Sequence, residues 1–125
     1  MRRQYHFRPS SNGYFAWDVH RLVELASCLP ARLIDLDDIE ELDQSYWFDP
    51  GGAPTCRAIA GHFKLMQAAD LSHPIILCAE GRVMDGMHRV TRALVEGHSR
   101  IRCVQFGATP SPDYRNVRPE DLPYE

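Results

Sequence analysis

The sequence of 125 residues has no long apolar run. A membrane-spanning helix needs about 20 consecutive apolar residues, and no segment approaches that length. The first residues, Met1 to Phe7, include two arginines but no apolar segment behind them, which is not the pattern of a signal peptide. We therefore expect a cytoplasmic protein without a membrane partner.

The chain also has no excess of positive charge, since its formal net charge is -3. A nucleic-acid-binding protein normally has a basic face, so nucleic acid is not an expected partner. The charge is uneven along the chain, with an acidic segment at 35–49 and a basic segment at 82–102. This asymmetry predicts a positive site on a mildly negative protein, which suits a small anionic ligand.

Motifs for several common chemistries are missing. The four cysteines form no C-x-x-C pair and are irregularly spaced, which argues against a zinc site. Cys78 and Cys103 lie in apolar strand patterns and are expected to be small buried residues, whereas Cys56, near a predicted helix start, is a candidate reactive thiol. The sequence has no H-E-x-x-H, G-x-S-x-G, Walker or Rossmann glycine motif.

Length and composition favour a single domain. The patterns predict, in chain order, an edge strand at 3–8, a helix at 17–29, a strand at 32–36, a helical turn at 39–43, an aromatic loop at 45–53, a helix from Thr55 to about 69, strands at 74–79 and 82–84, a helix at 87–96 and a strand at 101–106.

We place the domain at 1–106, with an N-terminal helical extension at about 14–30. Residues 107–125 form a proline-rich tail, which is expected to lie extended over the body or to be disordered. The helix that follows Thr55 is expected to pack on the core through four apolar side chains: Ile59, Phe63, Met66 and Ala69.

The most informative segment is Asp85-Gly86-Met87-His88-Arg89, between a strand pattern and a helix pattern. A glycine at such a junction predicts a phosphate cradle, because the free N–H groups and the positive dipole end of the helix point outward there. Arg89 adds a guanidinium and His88 an imidazole that titrates near neutral pH. The alternative is that Gly86 only makes a tight turn and that Arg89 is a surface cation.

The hairpin, the D-G-x-H-R turn, the amphipathic helix and the last strand together resemble the ParB/sulfiredoxin superfamily. The resemblance covers about 33–106 and is closest at 74–106. It implies an α+β fold, a small mixed sheet packed by helices. It implies that Gly86, Met87, His88 and Arg89 bind nucleotide phosphates, since the superfamily includes sulfiredoxins, free-serine kinases and CTP-binding partition proteins. Sulfiredoxins have a reactive cysteine where Met87 stands, and the kinase pattern D-G-H-H-R differs from this chain only there. The motif is therefore nearest to the serine-kinase and ParB-like nuclease branch.

Phosphoryl transfer also needs a carboxylate and usually Mg²⁺. Asp85 is a candidate metal ligand or a helix cap. The resemblance implies a glutamate base in the acidic segment, and we choose Glu41, with Glu40 next; the alternative is that these acids form a solvated helix face. Arg92, one turn after Arg89, either extends the cationic patch or pairs with a surface acid.

Two functions follow. The first is a small phosphotransferase or nucleotide hydrolase that uses ATP, ADP or CTP, with Mg²⁺, on a small hydroxyl compound. The second is a non-catalytic module in which a nucleotide or small phosphorylated ligand controls contact with a protein partner through the aromatic loop or the tail. A DNA-processing accessory is a third reading, against which the acidic balance counts.

Overall fold

The computed structural model describes residues 3–48 and 51–125. Residues 49–50 belong to the predicted loop 45–53, and both they and residues 1–2 lie outside the described part. Within it the chain is a small mixed α+β domain. Its elements are β1 Tyr5–Ser10, β2 Gly13–Asp18, α1 Val19–Ala26, β3 Arg32–Asp35, two 3₁₀ helices at Leu36–Asp38 and Glu40–Asp43, α2 Cys56–Ala68, β4 Ile75–Leu77, β5 Val83–Asp85, α3 Met87–Val95, β6 Arg100–Gln105, β7 Tyr114–Val117 and a 3₁₀ turn at Pro119–Asp121.

The strands form two sheets. One has the order β3-β6-β4-β5, in which β4 and β6 are parallel and the other neighbours antiparallel. The other is an antiparallel sheet of order β1-β2-β7. In the described part of the chain, β5 is an edge strand of the first sheet and β1 an edge strand of the second.

Both faces of the four-stranded sheet are covered by apolar side chains. One face packs against α3 and the 3₁₀ helices, and its cluster includes Leu36, Ile75 and Val90. The other packs against β2 and α1, and its cluster includes Trp17, Leu22 and Met84. Cys78 and Cys103 are fully buried in these clusters, as predicted. Cys56 is an exposed free thiol.

The N-terminal segment differs from the prediction. Residues 14–18 belong to β2, and α1 begins only at Val19, where the Asp18 carboxylate accepts the His20 N–H. The aromatic residues of this segment fit a helix pattern and a strand pattern equally well. Pairing with β1 on one side and β7 on the other satisfies the backbone groups and decides for the strand.

The segment beyond residue 106 is ordered against the body. β7 pairs with β2, and the Trp17 indole N–H donates to the Pro110 carbonyl at 2.8 Å. Leu122 is buried. The disordered alternative for the tail is therefore wrong, and this segment completes the second sheet.

Helix α2 begins as predicted, because the Thr55 hydroxyl accepts the Ala58 N–H. The prediction that this helix packs on the core is wrong, since Ile59 and Phe63 are 53% and 50% exposed and no residue of the helix is buried. The helix lies against α3 rather than on the sheet. No helix in the described part is long and apolar enough to cross a membrane.

Candidate functional site

Gly86 shapes the turn between β5 and α3. Its φ of 108° is in the left-handed region, and a Cβ at this position would lie 2.7 Å from Ile75 Cγ2 and 3.0 Å from Arg89 Nη2. The N–H groups of Arg89 and Val90 both donate to its carbonyl, at 2.9 and 3.0 Å. The turn is therefore a glycine site, and it presents the first N–H groups of α3 without helical partners.

Arg89 is used mainly inside the protein. Nη1 donates to the carbonyls of His73 at 3.0 Å and Pro74 at 2.8 Å, and Nη2 donates to Asp85 Oδ2 at 2.7 Å. These contacts occupy three of the five guanidinium N–H groups. Only Nε and one proton of Nη2 have no partner among the described residues. Arg89 thus fastens the start of β4 to the turn.

The Asp85 carboxylate also has its partner inside the protein. Its carboxylate forms an ion pair with Arg89, and it caps none of the α3 amides. No group of three or more His, Cys, Asp or Glu side chains is placed to hold a metal ion in the part of the chain described. A Mg²⁺ ion held by Asp85 would therefore need oxygen ligands from phosphate and water.

Arg92 adopts the alternative that was predicted for it. Nε pairs with Glu96 at 3.0 Å, and Nη1 donates to the carbonyls of Gln67, at 3.0 Å, and Ala69. The side chain holds the C-terminal end of α2, where carbonyl groups lack helical partners.

His88 belongs to an aromatic cluster with His62 and Trp47. His88 Nε2 and His62 Nδ1 are 2.9 Å apart, so one nitrogen donates to the other. Both imidazole rings stack on the indole, with centroids 4.4 and 4.6 Å away at angles of 14° and 13°. Burial lowers the pKa of both histidines, and the nearby His62 lowers that of His88 further. The neutral form of both rings is therefore favoured, and a neutral pair offers a hydrogen-bond donor without adding charge.

A hollow of about 260 Å³ lies beside the turn. The turn contributes Asp85 to Arg89, and the end of α2 closes the other side with Leu65, Ala68, Ala69 and Asp70. A second, mostly apolar pocket of about 480 Å³ shares Asp85 and Arg89 with it. The turn is therefore accessible from two sides.

Glu41 is brought to β5, but it does not line the hollow beside the turn. It is 2% exposed; Oε2 accepts the Val83 N–H at 2.5 Å and the Arg82 Nε–H at 3.3 Å. Oε1 is buried and has no partner. Glu41 is therefore not part of a solvated helix face. Glu40, in contrast, is exposed, and it forms a long ion pair of 3.9 Å with Arg82.

A third pocket, of about 560 Å³, lies between β1 and the edge strand β5. Glu41 and Arg82 line it together with His6, Arg8, Tyr46 and Trp47. Burial, then the charges of Glu41 and Asp85, raise the pKa of Tyr46 to about 12, against the opposing effect of Arg8 and Arg82. The phenol is therefore protonated and surrounded by charges of both signs.

Sequence reasoning missed His6 and Arg8. They occupy alternate positions of β1, which places their side chains on one face of the strand. That alternation is a weak signal, and only the fold of the hairpin brings the pair to Glu41.

Comparison with known proteins gives no relative to which the site can be assigned. No protein-family model matches the sequence, and neither a curated protein nor a solved structure matches it.

Proposed function

We propose that the protein is a ParB/sulfiredoxin-like domain that binds a nucleotide or small phosphorylated ligand at the turn Gly86–Arg89. The observation that carries the proposal is the hollow of about 260 Å³ at the N-terminal end of α3. Amide groups without helical partners and the positive end of the helix dipole face such a space, and both favour a bound anion.

The side chains of the turn support an anion there. Arg89 retains two free N–H groups, and the neutral His88–His62 pair has a donor to offer. ATP, ADP and CTP are the candidate ligands. Asp85 would hold Mg²⁺ only together with oxygen ligands from phosphate and water, and the ion would supply positive charge to the phosphates.

The proposed catalytic form of this function is phosphoryl transfer or nucleotide hydrolysis with Glu41 as the base. Glu41 accepts the N–H of Val83, two residues before Asp85, so the base candidate is held against the strand that leads into the phosphate turn. The second candidate is a non-catalytic module. The internal bonds of Arg89 and Arg92 favour it, because guanidinium groups that already have partners have fewer free N–H groups with which to stabilise the charge of a transition state.

Binding is tested with Ala68→Glu, which puts a carboxylate beside the turn. Ala68 is exposed on α2 and lines the hollow, so the substitution should leave the fold intact. Repulsion of ~1–2 kcal/mol is expected to weaken ATP, ADP, CTP or inorganic phosphate binding about tenfold in calorimetric titration. Ala60→Glu, exposed on the same helix but away from the hollow, is the matched control. Equal affinity in both variants, or no binding by the wild type, contradicts the proposal.

Catalysis is tested with Glu41→Gln. Its amide oxygen still accepts the Val83 N–H, so we expect nucleotide binding to persist. The enzyme form predicts that nucleotide turnover by the wild type disappears in this variant. If the wild type binds nucleotide but neither releases phosphate nor phosphorylates any small hydroxyl compound tried, the enzyme form is contradicted and the module form is favoured.

A further inference from the structure

The pocket of about 480 Å³ lies on the face of the four-stranded sheet that packs against α1. Ile76 of β4 and Val104 of β6 are neighbours across the parallel strand pair and form its floor. Val23, in the C-terminal half of α1, and Leu29, just after the helix, form a side wall. Val23 is 49% exposed, so a ligand with an apolar body would remove apolar surface from water, which favours binding.

A guanidinium without an acidic partner also lines this pocket. Arg102 is two residues before Val104 on β6, so both side chains lie on the same face of the sheet. The Arg102 side chain is exposed, and its Nη1 donates to the Ser72 carbonyl at 2.9 Å. The other N–H groups of this guanidinium have no partner among the described residues, so they are accessible to a ligand.

The remaining charges that line the pocket have partners of their own. Asp85 and Arg89 form an ion pair of 2.7 Å with each other. His73 lies 3.6 Å from the Asp70 carboxylate. Among the described residues, the charge of Arg102 is therefore the one that no acid balances. A single carboxylate would balance it, and a carboxylate also matches the planar guanidinium through two parallel hydrogen bonds.

We propose that this pocket binds a small carboxylic acid with an apolar body, of the aliphatic or aryl-aliphatic class. The body lies between the side wall and the floor, and the carboxylate accepts from Arg102. The volume is within the range of small-molecule sites, roughly 300–1,000 Å³. The side wall belongs to α1, outside the segment 33–106 that carries the family resemblance, and the hollow beside the turn is closed by α2 instead. The proposal therefore does not rest on phosphate binding at Gly86.

The probes are octanoate, octan-1-ol and octylammonium, which share one apolar body, and acetate, which has the charge without the body. Each is titrated into the protein while the methyl signals of Val23, Leu29 and Val104 are followed by NMR. We expect octanoate to shift all three signals and to bind at least about tenfold more tightly than octan-1-ol or acetate. Octylammonium should bind more weakly than octan-1-ol, because its charge has the same sign as that of Arg102.

Signals outside the pocket separate specific binding from adsorption. The Val95 methyl groups are 70% exposed on α3 and should not respond to octanoate. Shifts of equal size at Val95 and Val23 would mean that octanoate adsorbs to any exposed apolar residue, and they would overturn the proposal. The amides of Met87 and His88, titrated with inorganic phosphate alone, report on the phosphate turn, so a failure there is distinguishable from a failure here.

Variants assign the two contacts. Arg102→Gln should remove the preference for octanoate over octan-1-ol and leave the affinity for octan-1-ol unchanged. Arg100→Gln, at an exposed ion pair with Asp35 on the same strand, is the matched control. Val23→Asp puts a carboxylate into the side wall and should weaken octanoate at least about tenfold. Leu25→Asp, at a residue that is 42% exposed on the same helix and does not line the pocket, is its control.

Three results contradict the carboxylate site. The first is the absence of shifts at the pocket methyl groups with every probe. The second is that octan-1-ol binds to the wild type as tightly as octanoate does. The third is an octanoate affinity that Arg102→Gln leaves unchanged, since the pocket would then accept apolar molecules without selecting an anion.

Discussion

At the scale of single residues, Gly86 is the position at which the local sequence and the fold agree most closely. Its backbone conformation excludes other residues, and the space for a side chain is already filled by Ile75. The consequence is that Gly86 tolerates little change.

Gly86→Ala is expected to destabilise the protein by ~1–3 kcal/mol, from backbone strain together with the contact to Ile75. Gly97→Ala is the matched control, because Gly97 also has a positive φ, of 84°, but has open space where the Cβ would lie. Urea unfolding of both variants separates the two causes. Equal losses of unfolding free energy in the two variants would contradict the steric argument.

His6 is a residue whose protonation state couples to stability. Burial first, and then the charges of Arg8 and Arg82, lower its pKa to about 3 in the folded protein, from 6.5. As the pH falls, His6 therefore becomes protonated in the unfolded state before it does so in the folded state. Its contribution to stability is complete above pH 6.5 and is lost as the pH falls towards 3.

The free energy of unfolding is therefore expected to fall below pH 6 by up to about 1.4 kcal/mol per pH unit from this group. His6→Gln retains an acceptor for Arg8 and should flatten the pH dependence. His20→Gln, at an exposed position, should leave it unchanged. Urea unfolding at intervals between pH 7 and pH 4 measures the slopes, and parallel curves for wild type and His6→Gln would refute the assignment.

At the scale of elements, helices and strands whose signals are local could be predicted from the sequence. The cap at Thr55, the strand around Ile76 and the glycine before α3 each lie within a few residues of the element that they define. The packing of α2 could not be predicted, since its apolar residues have helical spacing but face solvent. Periodicity shows that a helix has an apolar face, not that the face is covered.

Helix α2 is held at its C-terminal end by Arg92 rather than by a buried face. Arg92→Ala is expected to lower the free energy of local unfolding at this end of α2 by about 1 kcal/mol, the usual contribution of such hydrogen bonds. Amide hydrogen exchange at Lys64 and Leu65 should then become several-fold faster, while the sheet stays protected. Arg100→Ala, at an exposed pair on β6, is the control. Unchanged exchange in α2 would show that contacts elsewhere on α3 hold it.

At the scale of the whole molecule, the candidate sites arise from contacts between distant segments. The Gly86 turn could be predicted because its five residues are consecutive. Glu41 was predicted only as the first choice of base in an acidic segment. Its contact with Val83 and the position of Arg8 beside them were not predicted. That pocket requires the hairpin β1–β2 to lie beside β5, and no local pattern determines this placement.

The C-terminal segment provides the contacts that fix the hairpin in that position. β7 pairs with β2, Pro110 accepts the Trp17 indole N–H, and Leu122 is buried. Removal of residues 108–125 deletes the strand that pairs with β2 and exposes apolar surface. It also leaves the buried Trp17 indole N–H without its acceptor. The free energy of unfolding should fall by at least about 3 kcal/mol, the sum of a buried leucine and an orphaned indole N–H.

The truncated chain, Leu122→Ala and the wild type are compared by urea unfolding and by the NMR signal of the Trp17 indole. Leu122→Ala keeps β7 and should lose only ~2–3 kcal/mol, with the indole signal in place. The truncated chain should also lose the signal shift that reports the bond to Pro110. If truncation leaves both stability and the indole signal unchanged, the hairpin is held by the four-stranded sheet alone, and the pocket beside Arg8 does not depend on the C-terminal segment.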